Sequence, residues 1–173
     1  MDNMLFRNRF LAIFERDGYT FMHEVRCNGV IVSLLPFRFA PDGKRVEYLA
    51  RLEVCPAHGS ELELCSITGG LEPGVTVAET ACEELWEEAG YRAETSELID
   101  LGTVRPSKAS NTIVHLFAVD ASEKLQSTPP TDGSRFEIGS SVEWVGHERG
   151  VQISDPLFVT AIARLQLSKQ KGD

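Results

Sequence analysis

The residues best suited to chemistry are six glutamates between Leu71 and Tyr91, a stretch without lysine or arginine. At about 100° of rotation per residue in an α-helix, Glu84, Glu87 and Glu88 fall within one arc of roughly 100°. The opposite side of that helix carries apolar residues, which are Ala78, Ala81, Cys82, Leu85 and Ala89. The sequence therefore predicts a helix with one packed face and one anionic face.

The like charges on this helix indicate a metal site. Without basic partners one turn away, neighbouring carboxylates repel each other by roughly 0.2–0.5 kcal/mol per pair. A bound cation would relieve this repulsion. Mg2+ suits such a site, because it takes a few protein oxygens and completes its shell with water and substrate phosphates. The alternative is a solvated acidic helix face, which composition alone favours.

Glycines frame the acidic helix. Gly69-Gly70 and the following residues 71–74 are predicted to form a tight turn, from which a backbone carbonyl could point at the metal. Gly90 is predicted to end the helix in the left-handed conformation. This frame favours the metal site over the solvated surface.

The segment from Gly69 to Tyr91 resembles the Nudix box, whose pattern is G-x5-E-x7-R-E-U-x-E-E-x-G-U, with U an aliphatic or aromatic residue. The matching positions are Gly69, Glu84, Leu85, Glu87, Glu88, Gly90 and Tyr91. The resemblance implies that Glu84 and Glu88 bind the metal with the Gly69 carbonyl, and that Glu87 completes or supports the shell.

Two positions depart from the pattern. Val75 occupies the usual glutamate position and Glu83 the usual arginine position. In the family these two residues commonly pair. Their joint loss predicts that Val75 replaces the pair by packing, since losing one partner alone would strand a buried charge. Glu83 is expected to add negative charge at the rim of the site.

Strands are predicted on both sides of the helix. Asp17-Gly18 separates two strand-like segments and predicts a hairpin over 9–16 and 19–25. Further strands are predicted at 29–37, 46–52, 62–67, 98–104, 112–119 and 141–145, with a closing helix at 155–167. This order predicts a mixed sheet with packed helices, and the resemblance implies the Nudix α/β/α sandwich.

Length and composition predict one domain over residues 1–173, with a frayed tail at 168–173. The net charge of −9 argues against nucleic acid as a partner, because phosphate backbones require basic patches. No apolar run reaches a membrane-spanning length, and the first residues lack a signal-peptide pattern, so a cytoplasmic location is expected.

The cysteines and histidines give no metal signal of their own. Cysteines stand at positions 27, 55, 65 and 82 without close-pair spacing. They are expected to be structural thiols in apolar surroundings, ahead of disulfides or zinc ligands. No two of the four histidines share a ligand spacing.

The order of segments also resembles the ADP-ribose and nucleotide-sugar pyrophosphatase branch of the family. This resemblance implies that Arg51 and Arg105, with Ser107 in the Pro-Ser loop, hold phosphate or ribose oxygens. The alternative is that both arginines form surface salt bridges. It also implies a homodimer formed through the N-terminal hairpin, residues 1–28. Aromatic residues of this hairpin either stack on the base or pack in its core, and they are Phe14, Tyr19 and Phe21.

These resemblances imply a Mg2+-dependent hydrolase, with Mn2+ as a possible substitute, that cleaves a nucleoside diphosphate linked to another moiety. The general base is expected from a late loop, where Glu137 is favoured over Glu123 and Asp132. The alternative function is a catalytically weak or inactive nucleotide-binding regulatory module, motivated by Val75 and Glu83.

Overall fold

A small antiparallel sheet opens the chain. The computed structural model describes residues 2–40, 43, 45–130 and 140–170. The small sheet has the order β1-β2-β3 and consists of β1 (Asn3–Arg7), β2 (Leu11–Arg16) and β3 (Tyr19–Glu24). Asp17 and Gly18 have φ values of 53° and 78°, the positive values that a two-residue hairpin turn requires. The predicted hairpin is therefore present, and β1 is an additional edge strand.

Across the described residues, the central sheet has seven strands and mixes parallel with antiparallel pairs. Its strands are β4 (Val30–Phe39), β5 (Val46–Val54), β6 (Leu62–Cys65), β7 (Ile67–Gly70), β8 (Ile99–Val104), β9 (Ile113–Asp120) and β10 (Ser141–Gly146). The main order is β10-β5-β4-β9-β8, while β6 pairs with β5 and β7 pairs with β4. Strands β4 and β9 run parallel, so the predicted mixed sheet is confirmed.

Helices cover both faces of the central sheet. The helices are α1 (Val77–Ala89), the short α2 (His147–Gly150) and α3 (Pro156–Gln170), with a 3₁₀ turn at Thr95–Glu97. Side chains of β4 alternate between the faces: Val32 and Leu34 pack under α1, whereas Leu35 and Phe37 pack under α3. A strand buried on both sides must be apolar in both directions, as β4 is. The arrangement is the predicted α/β/α sandwich.

Three boundaries differ from the sequence prediction. Gly69 and Gly70 belong to β7 because both pair with β4, so the turn begins only at Leu71. Segment 62–67 forms two strands rather than one, since β6 and β7 pair with different neighbours. Helix α3 includes Ser168, which the sequence assigned to the tail.

Within the described ranges, no helix has both the length and the apolar character needed to cross a lipid bilayer.

Candidate metal and substrate site

Helix α1 is fixed at both ends by contacts that the sequence encodes. At its start, Thr76 Oγ1 accepts the Glu79 N–H at 3.2 Å, and the Glu79 carboxylate accepts the Thr76 N–H at 2.8 Å. This reciprocal pair is a capping box. At its end, Gly90 has a φ of 72° and donates its N–H to the Trp86 carbonyl at 3.0 Å. The caps fix where α1 begins and ends, and its buried residues Ala81, Leu85 and Ala89 set the rotation that turns Glu84 and Glu88 toward the sheet.

Glu84 lies against β7 at a position that requires glycine. A Cβ atom built on Gly69 would overlap the Glu84 carboxylate. Gly69 pairs with Val32 of β4, so its backbone cannot move away without disturbing the ladder. The absence of a side chain at position 69 therefore allows the half-buried Glu84 to approach the strand backbone.

Glu88 is paired with a buried arginine. Arg51 of β5 is 5% exposed, and its Nη1 forms an ion pair with Glu88 Oε1. Its Nε lies 3.0 Å from Glu53 Oε2. A guanidinium withdrawn from water requires such partners, because its desolvation is otherwise costly. The surface interpretation of Arg51 is therefore wrong. Direct contact with substrate is disfavoured, since two carboxylates already engage the buried side chain.

A cavity of about 600 Å³ brings the predicted metal ligands together, since Gly69, Glu84, Glu87 and Glu88 all line it. Glu87 is exposed, whereas Glu84 and Glu88 are half-buried. Glu88 Oε2 is buried and has no hydrogen-bond partner within the described part of the chain. An unsatisfied buried oxygen costs roughly 1–3 kcal/mol, more when it is charged. The atom therefore marks a place where a ligand would be stabilising.

The donors in this cavity fit a hard divalent ion. Carboxylate and carbonyl oxygens are the ligands that Mg2+ prefers. Among the described lining residues, Arg26 is the one basic side chain. Neither Val75, which is half-buried, nor Glu83, which is exposed, lines the cavity. The expectation that Glu83 adds negative charge at the rim of the site stays a prediction.

Arg105 and Ser107 lie apart from the carboxylates. Arg105 lines a second cavity of about 240 Å³ together with Tyr19, and its Nη1 donates to the Asn111 carbonyl at 3.3 Å. Ser107 is exposed, and its Oγ accepts the Ala109 N–H at 3.0 Å. The hydroxyl therefore shapes the loop that carries Arg105.

Strand β3 runs between the two cavities. Phe21 borders the smaller cavity and Glu24 the larger one. At about 3.3 Å per residue, these positions are roughly 10 Å apart along the strand. Between them, the Met22 N–H donates to the Ala109 carbonyl at 2.8 Å and ties the Arg105 loop to β3. An extended ligand could therefore contact both cavities.

The aromatic residues proposed for base stacking separate into two groups. Phe14 and Phe21 stack on each other with ring centroids 5.9 Å apart, and Phe21 is buried. These two form hairpin core. Tyr19 is 53% exposed, and its hydroxyl donates to the Lys108 carbonyl at 2.9 Å. Tyr19 is therefore the most exposed of the three aromatic side chains.

Two site residues could not be assigned their actual roles from the sequence. A buried role for Arg51 could have been suspected, because it follows the apolar run from Tyr48 to Ala50 and precedes Leu52, where a charge needs a partner. Arg26 gave no signal, since its place in the wall of the larger cavity depends on tertiary structure. The predicted general base, Glu137, lies outside the described residues.

Comparisons with known proteins identify the family. The family model described as the NUDIX domain matches residues 35–156. A comparison with curated proteins found no match. The crystal structure of an ADP compounds hydrolase aligns with a TM-score of 0.62 and 16% identity, covering 98% of this chain and 95% of that one. A MutT/nudix family protein from Enterococcus faecalis aligns with a TM-score of 0.51 and 13% identity, covering 68% of this chain and 43% of that one.

The structural likenesses show a shared fold. The matched segment contains the central sheet from within β4, helix α1 and the cluster of Glu84 and Glu88. The chain belongs to the NUDIX domain family, which confirms the predictions of the family, the fold and a Nudix hydrolase.

Proposed function

We propose that this chain is a Mg2+-dependent hydrolase that cleaves the diphosphate bond of a nucleoside diphosphate linked to another moiety, such as ADP-ribose or a nucleotide sugar. The observation that carries the proposal is the buried, unpartnered Glu88 Oε2 at a cavity shared with Glu84 and Gly69. Family membership supports hydrolysis, and the likeness to an ADP compounds hydrolase supports an ADP-containing substrate.

Glu84, Glu88 and the Gly69 carbonyl would hold the ion, and Glu87 would complete its shell. Bound there, Mg2+ would neutralise the charge on the diphosphate oxygens. Mn2+ suits the same oxygen donors and is a possible substitute.

The protein's own residues position the reacting groups. Arg51 holds Glu88 through Oε1, which leaves Oε2 without a protein partner in the described chain. Arg26 at the cavity wall can donate to a phosphate oxygen, for which a guanidinium is well shaped. Glu137 is the proposed base, which takes a proton from the attacking water as that water bonds to phosphorus. The bridging P–O bond breaks, and two monophosphate products result.

The second cavity is the proposed position of the nucleoside or of the other terminal group. Tyr19 offers an exposed ring for stacking, and Arg105 offers a guanidinium for ribose or phosphate oxygens. Ser107 is proposed to support this loop. Because the cavities lie roughly 10 Å apart along β3, an extended dinucleotide-like substrate fits better than a compact phosphate ester.

A homodimer is proposed through the N-terminal sheet. Met4, Leu5 and Phe6 of β1 are 53%, 52% and 53% exposed. Because successive side chains of a strand point to opposite faces, β1 exposes apolar side chains on both of its faces. A second copy would remove this apolar surface from water. Analytical ultracentrifugation should give a dimer for the wild type and a monomer for Leu5→Asp. A wild-type protein that remained monomeric would contradict the proposed homodimer.

The test of function is phosphate release, coupled to a phosphatase, across ADP-ribose, nucleotide sugars, dinucleoside polyphosphates and nucleoside triphosphates. We expect turnover of the first two classes with Mg2+ or Mn2+, and none with chelator. Glu88→Gln should lower turnover by orders of magnitude, whereas the matched control Glu83→Gln, exposed on the same helix, should not. Silence across the panel together with ligand-induced thermal stabilisation would favour the regulatory binding module.

A further inference from the structure

A separate group of side chains that could hold a metal ion lies on the β5–β6 hairpin. Glu53, Cys55 and Cys65 each present a ligand atom within 4.8 Å of the other two, and so do Cys55, His58 and Glu63. Cys55 belongs to both groups. The two overlapping trios together contain two thiols, an imidazole and two carboxylates. These donors differ in kind from the oxygen-only set of Glu84 and Glu88.

The pairing of β5 with β6 brings the residues of this cluster together. Strand pairing places Cys65 opposite Arg51 and sets Glu53 opposite Glu63. Past the end of β5, the His58 N–H donates to the Cys55 carbonyl at 2.8 Å, and this turn folds His58 back toward Cys55. The expectation of cysteines in apolar surroundings is wrong here, because Cys65 Sγ donates to Glu53 Oε1 at 3.2 Å.

The surroundings of the cluster are strongly anionic. A cavity of about 470 Å³ is lined by Glu53, Glu63 and Asp155 as well as by the thiols, and its described lining includes no lysine or arginine. Burial, reinforced by nearby carboxylates, raises the pKa of the Cys55 and Cys65 thiols. Like charges directly opposite each other on paired strands are destabilising, as at Glu53 and Glu63. The cavity is therefore suited to a cation and unsuited to a phosphate.

The carboxylates are not equally available to a cation. Asp155 accepts the N–H groups of Ser66 at 2.6 Å and of Leu157 at 2.8 Å, so its two oxygens serve the start of α3. Glu53 is engaged by the buried Arg51. Glu63 contacts the His58 ring at 2.9 Å, and the His58 side chain is 65% exposed. His58 and Glu63 can therefore turn toward the thiols without movement of the sheet.

We propose that Cys55, Cys65, His58 and Glu63 bind a soft or borderline divalent cation of the Zn2+ class. Two sulfurs, one ring nitrogen and one carboxylate oxygen make the four-coordinate donor set that Zn2+ accepts. On binding, each thiol loses its proton to solvent and becomes a thiolate ligand. The dication offsets the carboxylate charges that otherwise oppose ionisation of the thiols.

The competing use of the same thiols is a disulfide between Cys55 and Cys65. All four cysteines are free. Thiol–disulfide exchange requires a thiolate, and the raised pKa of both thiols disfavours it at neutral pH. A divalent ion removes that obstacle by stabilising the thiolates directly, so the structure favours metal binding.

The test is titration of the full chain with Co2+, in the presence of excess Mg2+ and a reducing agent. One equivalent of Co2+ should bind per chain and produce sulfur-to-cobalt charge-transfer absorption, and Zn2+ should displace it. Cys65→Ser and His58→Ala should each weaken binding by at least about tenfold. Cys82→Ser is the matched control, because this half-buried cysteine lies on α1 and outside the cluster.

Thermal unfolding of each variant would verify that it folds. If Cys65→Ser does not fold, His58→Ala still tests the proposal, because His58 is exposed and its replacement should not affect folding. Absence of charge-transfer absorption in the wild type would overturn the proposal. The proposal would also be overturned if both His58→Ala and a correctly folded Cys65→Ser bound Co2+ as tightly as the wild type. Formation of a Cys55–Cys65 disulfide on air oxidation in the presence of Zn2+, detected by mass spectrometry, would assign the pair to redox chemistry instead. Since the readout is optical, failure of the proposed hydrolysis would not affect it.

Discussion

The buried guanidinium of Arg51 forms an ion pair with Glu88, and this contact joins β5 to α1 behind the larger cavity. The Nudix box commonly carries its own glutamate–arginine pair, whose positions hold Val75 and Glu83 in this chain. Because Glu83 is exposed and Val75 is half-buried, the departures leave no unpaired charge in the core. We infer that the fixed positive charge beside α1 comes from Arg51 on strand β5, rather than from an arginine on α1 itself.

Replacing Arg51 with methionine should destabilise the fold by about 3–5 kcal/mol, because Glu88 would be left buried without its partner. The double variant Arg51→Met/Glu88→Gln should recover much of this loss. Chemical denaturation measures both effects. Arg105→Met, which removes an exposed arginine, should change stability by no more than about 0.5 kcal/mol. Equal losses at Arg51 and Arg105 would contradict the structural role of the Arg51–Glu88 pair.

Restoring the family pattern with Val75→Glu/Glu83→Arg should leave turnover within the same order of magnitude. Neither position lines the larger cavity, and Arg51 already pairs with Glu88. The comparison requires kcat/KM for the wild type and the double variant on the same substrate. A large gain in turnover would show instead that the lost pair limits catalysis.

The sequence predicted most of the fold because local signals and burial agree along the chain. The nearly continuous apolar run that includes Val32, Leu34, Leu35 and Phe37 marks a strand covered on both sides, and the helical spacing of the glutamates locates α1. Strand registers were not predictable, since pairing partners are distant in sequence. Contacts between a strand and a helix that are distant in sequence were not predictable either, so the ion pair of Arg51 with Glu88 appeared only in the structure.

The same limit applies to the thiols. Cys55 and Cys65 are ten positions apart, and the hairpin between them sets their approach. Glycine-rich segments misled the prediction in another way: Gly69 and Gly70 suggested a turn, yet both lie in β7. Glycine in a strand can mark a place where another group comes close, and here that group is Glu84.

Gly69→Ala should abolish most turnover and weaken Mn2+ binding, because the added methyl group would displace the Glu84 carboxylate from β7. Turnover and Mn2+ electron paramagnetic resonance would measure the two effects. Gly146→Ala is the matched control. A methyl group at position 146 would have no neighbouring atom within 4 Å among the described residues, and the φ of −70° is one that alanine readily adopts. Gly69→Ala/Glu84→Ala should regain stability without regaining activity. A fully active Gly69→Ala would show that Glu84 need not lie against the strand.

Glu79→Ala should destabilise the protein at neutral pH and have a smaller effect in acid. Hydrogen bonds from the Thr76 side chain and backbone lower the pKa of Glu79 from its ordinary value of 4.5. A lowered carboxyl pKa adds stability that is fully present above the unfolded value and is lost as the pH falls through the folded value. The difference in unfolding free energy between wild type and Glu79→Ala should therefore shrink below about pH 4.

Denaturant unfolding at several pH values would test this dependence, with Glu83→Ala as the control. Glu83 is exposed on the same helix but takes no part in the capping box. The difference in unfolding free energy between wild type and Glu83→Ala should therefore not shrink in acid as it does for Glu79→Ala. Because the capping box fixes the start of α1, Glu79→Ala should also loosen the presentation of Glu84 and Glu88. A destabilisation that stays constant from neutral pH to acid would show that the Glu79 carboxylate does not stabilise the helix through its charge.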